Sequence, residues 1–234
     1  MPRETLDRQI RHLLNELLVL SSMVENNIIG SVEALKQRDQ EAARRIYAED
    51  RLVNKKRFEI ENACIATIAT QQPIMAGDLR LLASILDVTT EVERMGDYSK
   101  GIAKICQLLG NEPLIKPLID IPRMAELAVS MLHRAISAFV DRDLDVAQDI
   151  PKEDDLVDSL YNQVYRELVM IMFTNPSTID QANYLMWVAH NLERTADRVT
   201  NICERTIYVQ TGKLAEIDTS DDETNNLHQM TDHG

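Results

Sequence analysis

Residues 37–54 read QRDQEAARRIYAEDRLVN, and residues 141–158 read DRDLDVAQDIPKEDDLVD. Laid on each other without a gap, they agree at 8 of 18 positions: Arg38/Arg142, Asp39/Asp143, Ala43/Ala147, Ile46/Ile150, Glu49/Glu153, Asp50/Asp154, Leu52/Leu156 and Val53/Val157. A second correspondence lies further on, where TEVERMGDYSKGIAK (90–104) and HNLERTADRVTNICE (190–204) both carry E-R-x-x-D. The offset is 104 residues for the first match and 100 for the second, so the halves differ by a short deletion between them. Duplication of one unit is the economical explanation.

Each unit reads as three helices. Leu6, Ile10, Leu13, Leu17, Leu20, Val24 and Ile28 recur every three or four residues, which predicts one helix from Thr5 to Lys36 with a single buried stripe. Asp39 is a natural N-cap for a second helix reaching Thr70. Pro73 and Gly77 mark a turn, and a third helix runs from Gly77 or Asp78 to Leu109, stopping at Gly110. The stretch GNEPLIKPLIDIP, with Pro113, Pro117 and Pro122, reads as a linker. Three more helices follow, Arg123–Val140, Asp143–Phe173 and Ser177–Val209. The expected plan is all-α, two tandem antiparallel three-helix bundles related by an internal duplication. Its parts are residues 1–111, a Pro-rich linker at 112–122, residues 123–211, and an acidic tail at 212–234 that is expected to be disordered.

Composition narrows the function classes. The chain has 44% hydrophobic residues, 4% aromatics and only 7 Gly and 7 Pro, a balance that suits helices better than strands. A net charge of −13 opposes a nucleic-acid partner, because the phosphate backbone repels such a chain unless its basic residues are segregated. Cys64, Cys106 and Cys203 sit singly, with no C-x-x-C, and are expected to be buried reduced thiols. There is no apolar run long enough to span a bilayer and no signal-peptide pattern, so a cytoplasmic protein that meets membranes only through partners is expected.

The repeated motif carries the candidate chemistry. Glu93 and Asp97, like Glu193 and Asp197, stand four apart on one helix face, where like charges repel by roughly 0.2 to 0.5 kcal/mol. They flank the apolar stripe, which places them at the bundle rim. The second helices carry pairs at the same spacing, Asp50/Asn54 and Asp154/Asp158. Neighbouring helices pack about 8 to 10 Å apart, so four oxygen side chains can converge on one cation. Arginines of adjacent helices are the competing partners for the same carboxylates. Arg94 and Arg194 are expected to be solvated or salt-bridged, His190 to bond to another helix, and Met186 and Trp187 to serve packing.

With DLRLLASILDVTTEVERMGDYSKGIAKI in one half and NLERTADRVTNICE in the other, residues 5–210 resemble the PhoU family, accessory proteins of the phosphate-specific transport system. The resemblance implies a pair of three-helix bundles whose acidic motifs bind metal ions, and an adaptor, not an enzyme. It implies restraint of phosphate uptake and of the phosphate-starvation response, exerted on the transporter's ATPase subunit and a membrane-bound sensor histidine kinase. A homodimer is implied as well. Carried over by motif, Glu93, Asp97, Glu193 and Asp197 fall on the motif acids, and Asp50, Asp154 and Asp158 on those of the second helices. Asn54 stands in place of an acid and Ala196 in place of the motif glycine, so the halves are expected to hold metal unequally.

An all-oxygen ligand set suits Mg, Mn, Ca or Fe, with Zn also admissible. Two rivals are carboxylate-bridged di-metal enzymes and plain helical scaffolds. The enzymes need Glu-x-x-His on two helices, and none of the five histidines has Glu three residues before it. A scaffold predicts neither metal nor a phosphate-linked phenotype.

Overall fold

The computed structural model describes residues 2–214, 89% of them helical. Of the acidic tail, residues 215–234 lie outside the described residues. α1 (Pro2–Gln37), α2 (Gln40–Thr70) and α3 (Ala76–Leu109) form the first bundle. α4 (Asp120–Asp141), α5 (Leu144–Asp149), α6 (Asp154–Thr174) and α7 (Ile179–Thr211) form the second, with short 3-10 turns at Ile150–Glu153 and Pro176–Thr178.

The matching Arg-Asp pairs of the repeat are a turn. α1 ends because Arg38 takes φ 59°, and α4 ends the same way at Arg142, also φ 59°. The following aspartate then donates its N–H back into the finished helix, Asp39 to Ala34 O at 2.8 Å and Asp143 to Ala138 O at 2.9 Å. Its carboxylate caps the next helix, Asp39 accepting from Glu41 and Ala42 N, and Asp143 from Val146 N. A left-handed non-glycine costs about 1–2 kcal/mol, and a side-chain N-cap returns about 1 kcal/mol.

Two helix boundaries differ from expectation. The fifth expected helix is interrupted after Asp149, because Pro151 has no N–H to donate and its ring collides with the preceding turn. The first half has Tyr47 at that position, and α2 runs unbroken. Conversely, α4 starts at Asp120 and takes in Pro122, which is tolerated because first-turn N–H groups have no helical acceptor in any case. The segment before it is held down: Ile115 N donates to Gln181 Oε1, Gln181 Nε2 donates to Pro113 O at 3.1 Å, Lys116 pairs with Glu167, and Leu118 is buried.

The bundles meet along α1 against α4 and α3 against α7, and a single apolar core runs through both. α3 and α7 cross antiparallel about an approximate two-fold axis. Glu91 accepts from Arg198 Nη1 at 2.9 Å and Asn201 Nδ2 at 3.1 Å, while Arg198 Nε donates to Tyr98 Oη at 3.2 Å. The mirror position explains Gly101, where an added Cβ would lie 3.1 Å from Asn191 Nδ2. The three cysteines are free and buried, and burial raises their thiols to about 11, 11 and 12 in chain order. Among the described residues Phe139 is the largest fully buried side chain. Phe139→Ala is expected to cost about 3–5 kcal/mol, measured by urea unfolding, and a loss under 1 kcal/mol would mean that the core collapses around the gap.

Candidate functional site

The acidic motifs straddle the bundle rim. Asp50, Glu93 and Asp154 are buried, Glu193, Asp158 and Asp197 are half-buried, and Asp97 is exposed. The motif glycine has a packing cause, since a Cβ on Gly96 would come 3.1 Å from Val53 Cγ1. Ala196 is fully buried at the matching place, so this departure belongs to the helix contact and not to ligand chemistry.

In the first half the acids are neutralised by the chain's own cations. Lys100 Nζ donates to Asp50 Oδ2 at 2.7 Å, and Asn54 Nδ2 donates to the same oxygen at 3.1 Å. Arg57 reaches across from α2 to Glu93, 3.0 Å from Nη1 to Oε1. Lys100 also lies 3.9 Å from Asp97, whose carboxyl, although half its side chain meets solvent, is raised by the partial desolvation of the site and then by the charge of Asp50. An ammonium and a guanidinium thus stand where converging ligands would otherwise need an ion.

The second half has no counterpart of either contact; its nearest guanidinium, Arg194, lies 3.6 Å from Asp197 on the same helix. The repeat places Thr200 at the position of Lys100 and Tyr161 at that of Arg57. Asp154, Asp158 and Asp197 come together with one ligand oxygen each, all within 4.8 Å of one another, the one such acidic group among the described residues. Asp154 Oδ1, Glu193 Oε2 and Thr200 Oγ1 are buried without a hydrogen-bond partner there. Burial, followed by the charges of Asp197, Asp158 and Glu193, raises Asp154 to about 7, and burial with Asp197 and Asp158 raises Glu193 to about 7. Asp197 is raised by burial against the pull of Arg194, Arg198 and His190. These are the marks of carboxylates short of positive charge.

The break at Pro151 contributes, because it makes Asp154 the first residue of α6. The N-terminal dipole there favours negative charge on Asp154 or on an ion's ligands. His190 keeps its polar contact within its own helix, Nδ1 lying 3.1 Å from Glu193 Oε2 outside hydrogen-bonding geometry, so the expected bond to another helix is not formed. Met186 packs on the core, but Trp187 is 63% exposed, contrary to a packing role. Arg194 lies 3.6 Å from Asp197 on its own helix, and Arg94 lines a cleft with Glu91, Asn201 and Arg205. Lys100 and Arg57 were not singled out from sequence. Extending the repeat alignment to 57/161 and 100/200 would have exposed the swap.

The PhoU domain family model matches residues 17–106 and 121–206. The chain is 38% identical over 217 residues to the phosphate-specific transport system accessory protein PhoU homolog of Clostridium acetobutylicum, covering 93% of this chain and 99% of the relative. It is 35% identical over 210 residues to the homolog of the same description from Deinococcus radiodurans, covering 90% and 98%. Its fold matches the crystal structure of the phosphate transport system regulatory protein PhoU from Streptococcus pneumoniae with a TM-score of 0.84 at 29% identity, over 91% of this chain and all of the other.

Proposed function

This chain belongs to the PhoU family, and on that premise we propose that it is an accessory regulator of phosphate-specific transport that works by contact and carries no catalytic centre. When phosphate is plentiful it docks on the transporter's ATPase subunit and on a sensor histidine kinase, holding uptake and starvation signalling down. No helix among the described residues is long and apolar enough to cross a membrane, in keeping with membrane contact through partners. A homodimer belongs to the same proposal, and sedimentation of the purified chain tests it.

The proposal includes a cation held by Asp154, Asp158 and Asp197 with Glu193 beside them. The supporting observation is the convergence of Asp154, Asp158 and Asp197 within 4.8 Å, with Asp154 Oδ1 and Glu193 Oε2 buried without a hydrogen-bond partner and no counterpart of Lys100 or Arg57 beside them; Asp50 Oδ1 is also without a partner, but Asp50 Oδ2 accepts from Lys100. Carboxylate oxygens suit Mg, Mn, Ca or Fe, and Zn less well. Such an ion would offset the repulsion and tie α6 to α7. Asp50, Asn54, Glu93 and Asp97 make the weaker site, because Lys100 and Arg57 already supply their charge.

Elemental analysis of the wild-type protein against Glu193→Ala plus Asp197→Ala is expected to find metal lost from the double variant, and equal content would remove these residues as ligands. Deleting the gene in phosphate-rich medium is expected to switch on phosphate-responsive genes, and pull-down from solubilised membranes to recover the ATPase subunit and the kinase. An unchanged phosphate response with neither partner recovered would favour the scaffold.

A further inference from the structure

The two repeats build the same helix pair with different exposed side chains. Between α6 and α7, the Tyr161 ring lies 6.4 Å from that of Tyr165 and 6.2 Å from that of His190, and His190 lies 6.5 Å from Trp187. Further along α6, on the i, i+4 ridge that runs from Tyr161 through Tyr165 and Val169, Phe173 is 86% exposed. In the first half the repeat puts Arg57, Glu61, Ala69, Asp87 and Thr90 at the positions of Tyr161, Tyr165, Phe173, Trp187 and His190. There Arg57 and Glu61 simply pair, at 2.7 Å. The same bundle stands with charged and small residues in that groove, so its folding does not require the aromatic ones. Exposed Trp, Tyr and Phe in a line mark a binding surface.

At one end the line meets Asp158 and Asp197. We propose that this groove docks an amphipathic helix of a partner protein, with its apolar face on the aromatic line and a lysine or arginine at one end entering the carboxylates. That entry repeats between molecules what Lys100 does to Asp50 within this one. Charge complementarity selects the occupant. This chain's own residues 215–234 hold Glu216, Asp218, Asp221, Asp222, Glu223 and Asp232 without a lysine or arginine, and a second copy brings the same net charge of −13. The C-terminal segment would set carboxylates against carboxylates, and a second copy would meet this one with overall repulsion. From Asp154 to Phe173 α6 is about 28 Å long, room for about five turns of a partner helix. The inference rests on the contact-based function proposed above and assigns the surface that makes the contact. A cation on the same carboxylates competes with the partner's basic side chain, which links metal state to docking.

Photocrosslinking tests it. Full-length protein with p-benzoylphenylalanine placed at Phe173 is irradiated with membranes of the source organism, and the adducts are mapped by mass spectrometry. The expected adduct is an apolar helical segment of another protein with Lys or Arg near one end. Tyr165→Glu plus Trp187→Asp, residues that the first repeat already carries at these positions, are expected to cut its yield about tenfold with the circular dichroism spectrum unchanged, and millimolar manganese to lower it too. Adducts with a second copy or with the chain's own C-terminal segment only, or a yield that neither the substitutions nor manganese alter, would overturn the proposal. In cells the same double variant is expected to release phosphate-responsive genes as a deletion does. If the deletion releases them and the variant does not, the groove falls alone. If the deletion changes nothing while the adduct maps as expected, the regulatory reading falls and the groove stands.

Discussion

Lys100→Thr is expected to destabilise the metal-free protein by about 2–3 kcal/mol and to increase the dependence of the first half on divalent cations. The substitution installs the residue that the second repeat carries at this place. It removes the ammonium 2.7 Å from Asp50, whose side chain is 7% exposed, and leaves Asn54 as the remaining donor to that oxygen. Removing one partner of a fully buried pair costs about 3–5 kcal/mol, and the smaller figure reflects the 32% exposure of Lys100. For a chain of this size that lowers Tm by about 4–12 °C. Millimolar manganese should restore part of the loss in Lys100→Thr, and more in Lys100→Thr plus Arg57→Tyr, with one additional ion bound per chain. Calorimetry in chelator and in manganese checks both statements. A variant as stable as wild type in chelator would show that Lys100 does not stand in for a cation.

The second large effect is a fall in stability of the chelated protein as pH rises from 5 to 8. Asp154 and Glu193 titrate near 7 in the folded chain, because burial and the neighbouring carboxylates disfavour their charge. In the unfolded chain they titrate near ordinary carboxylate values, about 4. Between those values the native state holds protons that the unfolded state has released. Stability from these groups is therefore full below the unfolded value and is lost as pH rises through 7. The loss is on the order of 3 kcal/mol across the window, taking about 1.4 kcal/mol per pH unit and allowing for coupling between the two groups. A bound cation replaces the protons, and at a hundred times its Kd returns about 2.7 kcal/mol at pH 8. It returns less at pH 5, where the ligands are protonated. Urea unfolding at pH 5, 6.5 and 8, with chelator or manganese, measures this, and Asp154→Asn plus Glu193→Gln should flatten the chelator series. Chelated wild type that grows more stable between pH 5 and 8 would contradict the assignment.

How much of the site was legible depended on distance along the chain. The four-residue spacing of Glu93/Asp97 and Glu193/Asp197, and the pairs at Asp50/Asn54 and Asp154/Asp158, are properties of single helices and were visible at once. Their unequal burial was not, because the angular width of a stripe depends on which neighbours close over it. Glu93 ended buried and Asp97, one turn away, exposed. Trp187 was misjudged for the same reason: a large apolar residue next to a stripe is counted with it until the neighbouring helices prove to leave it uncovered.

By itself the sequence determined the duplication, the helices and their stops, since these rest on local periodicity, on Asp39 and Asp143 as caps, and on glycine and proline at chain turns. It also determined which carboxylates share a helix face. Only the tertiary structure decided which acids are neutralised by the chain and which are left short of charge. That outcome turns on whether Lys100 and Arg57 lie within reach of Asp50 and Glu93, and on Thr200 and Tyr161 being the residues in those places across the pseudo-symmetric bundle. Reach across a helix gap is set by rotational phase and interhelical register, which a packed core imposes and no run of neighbouring residues encodes.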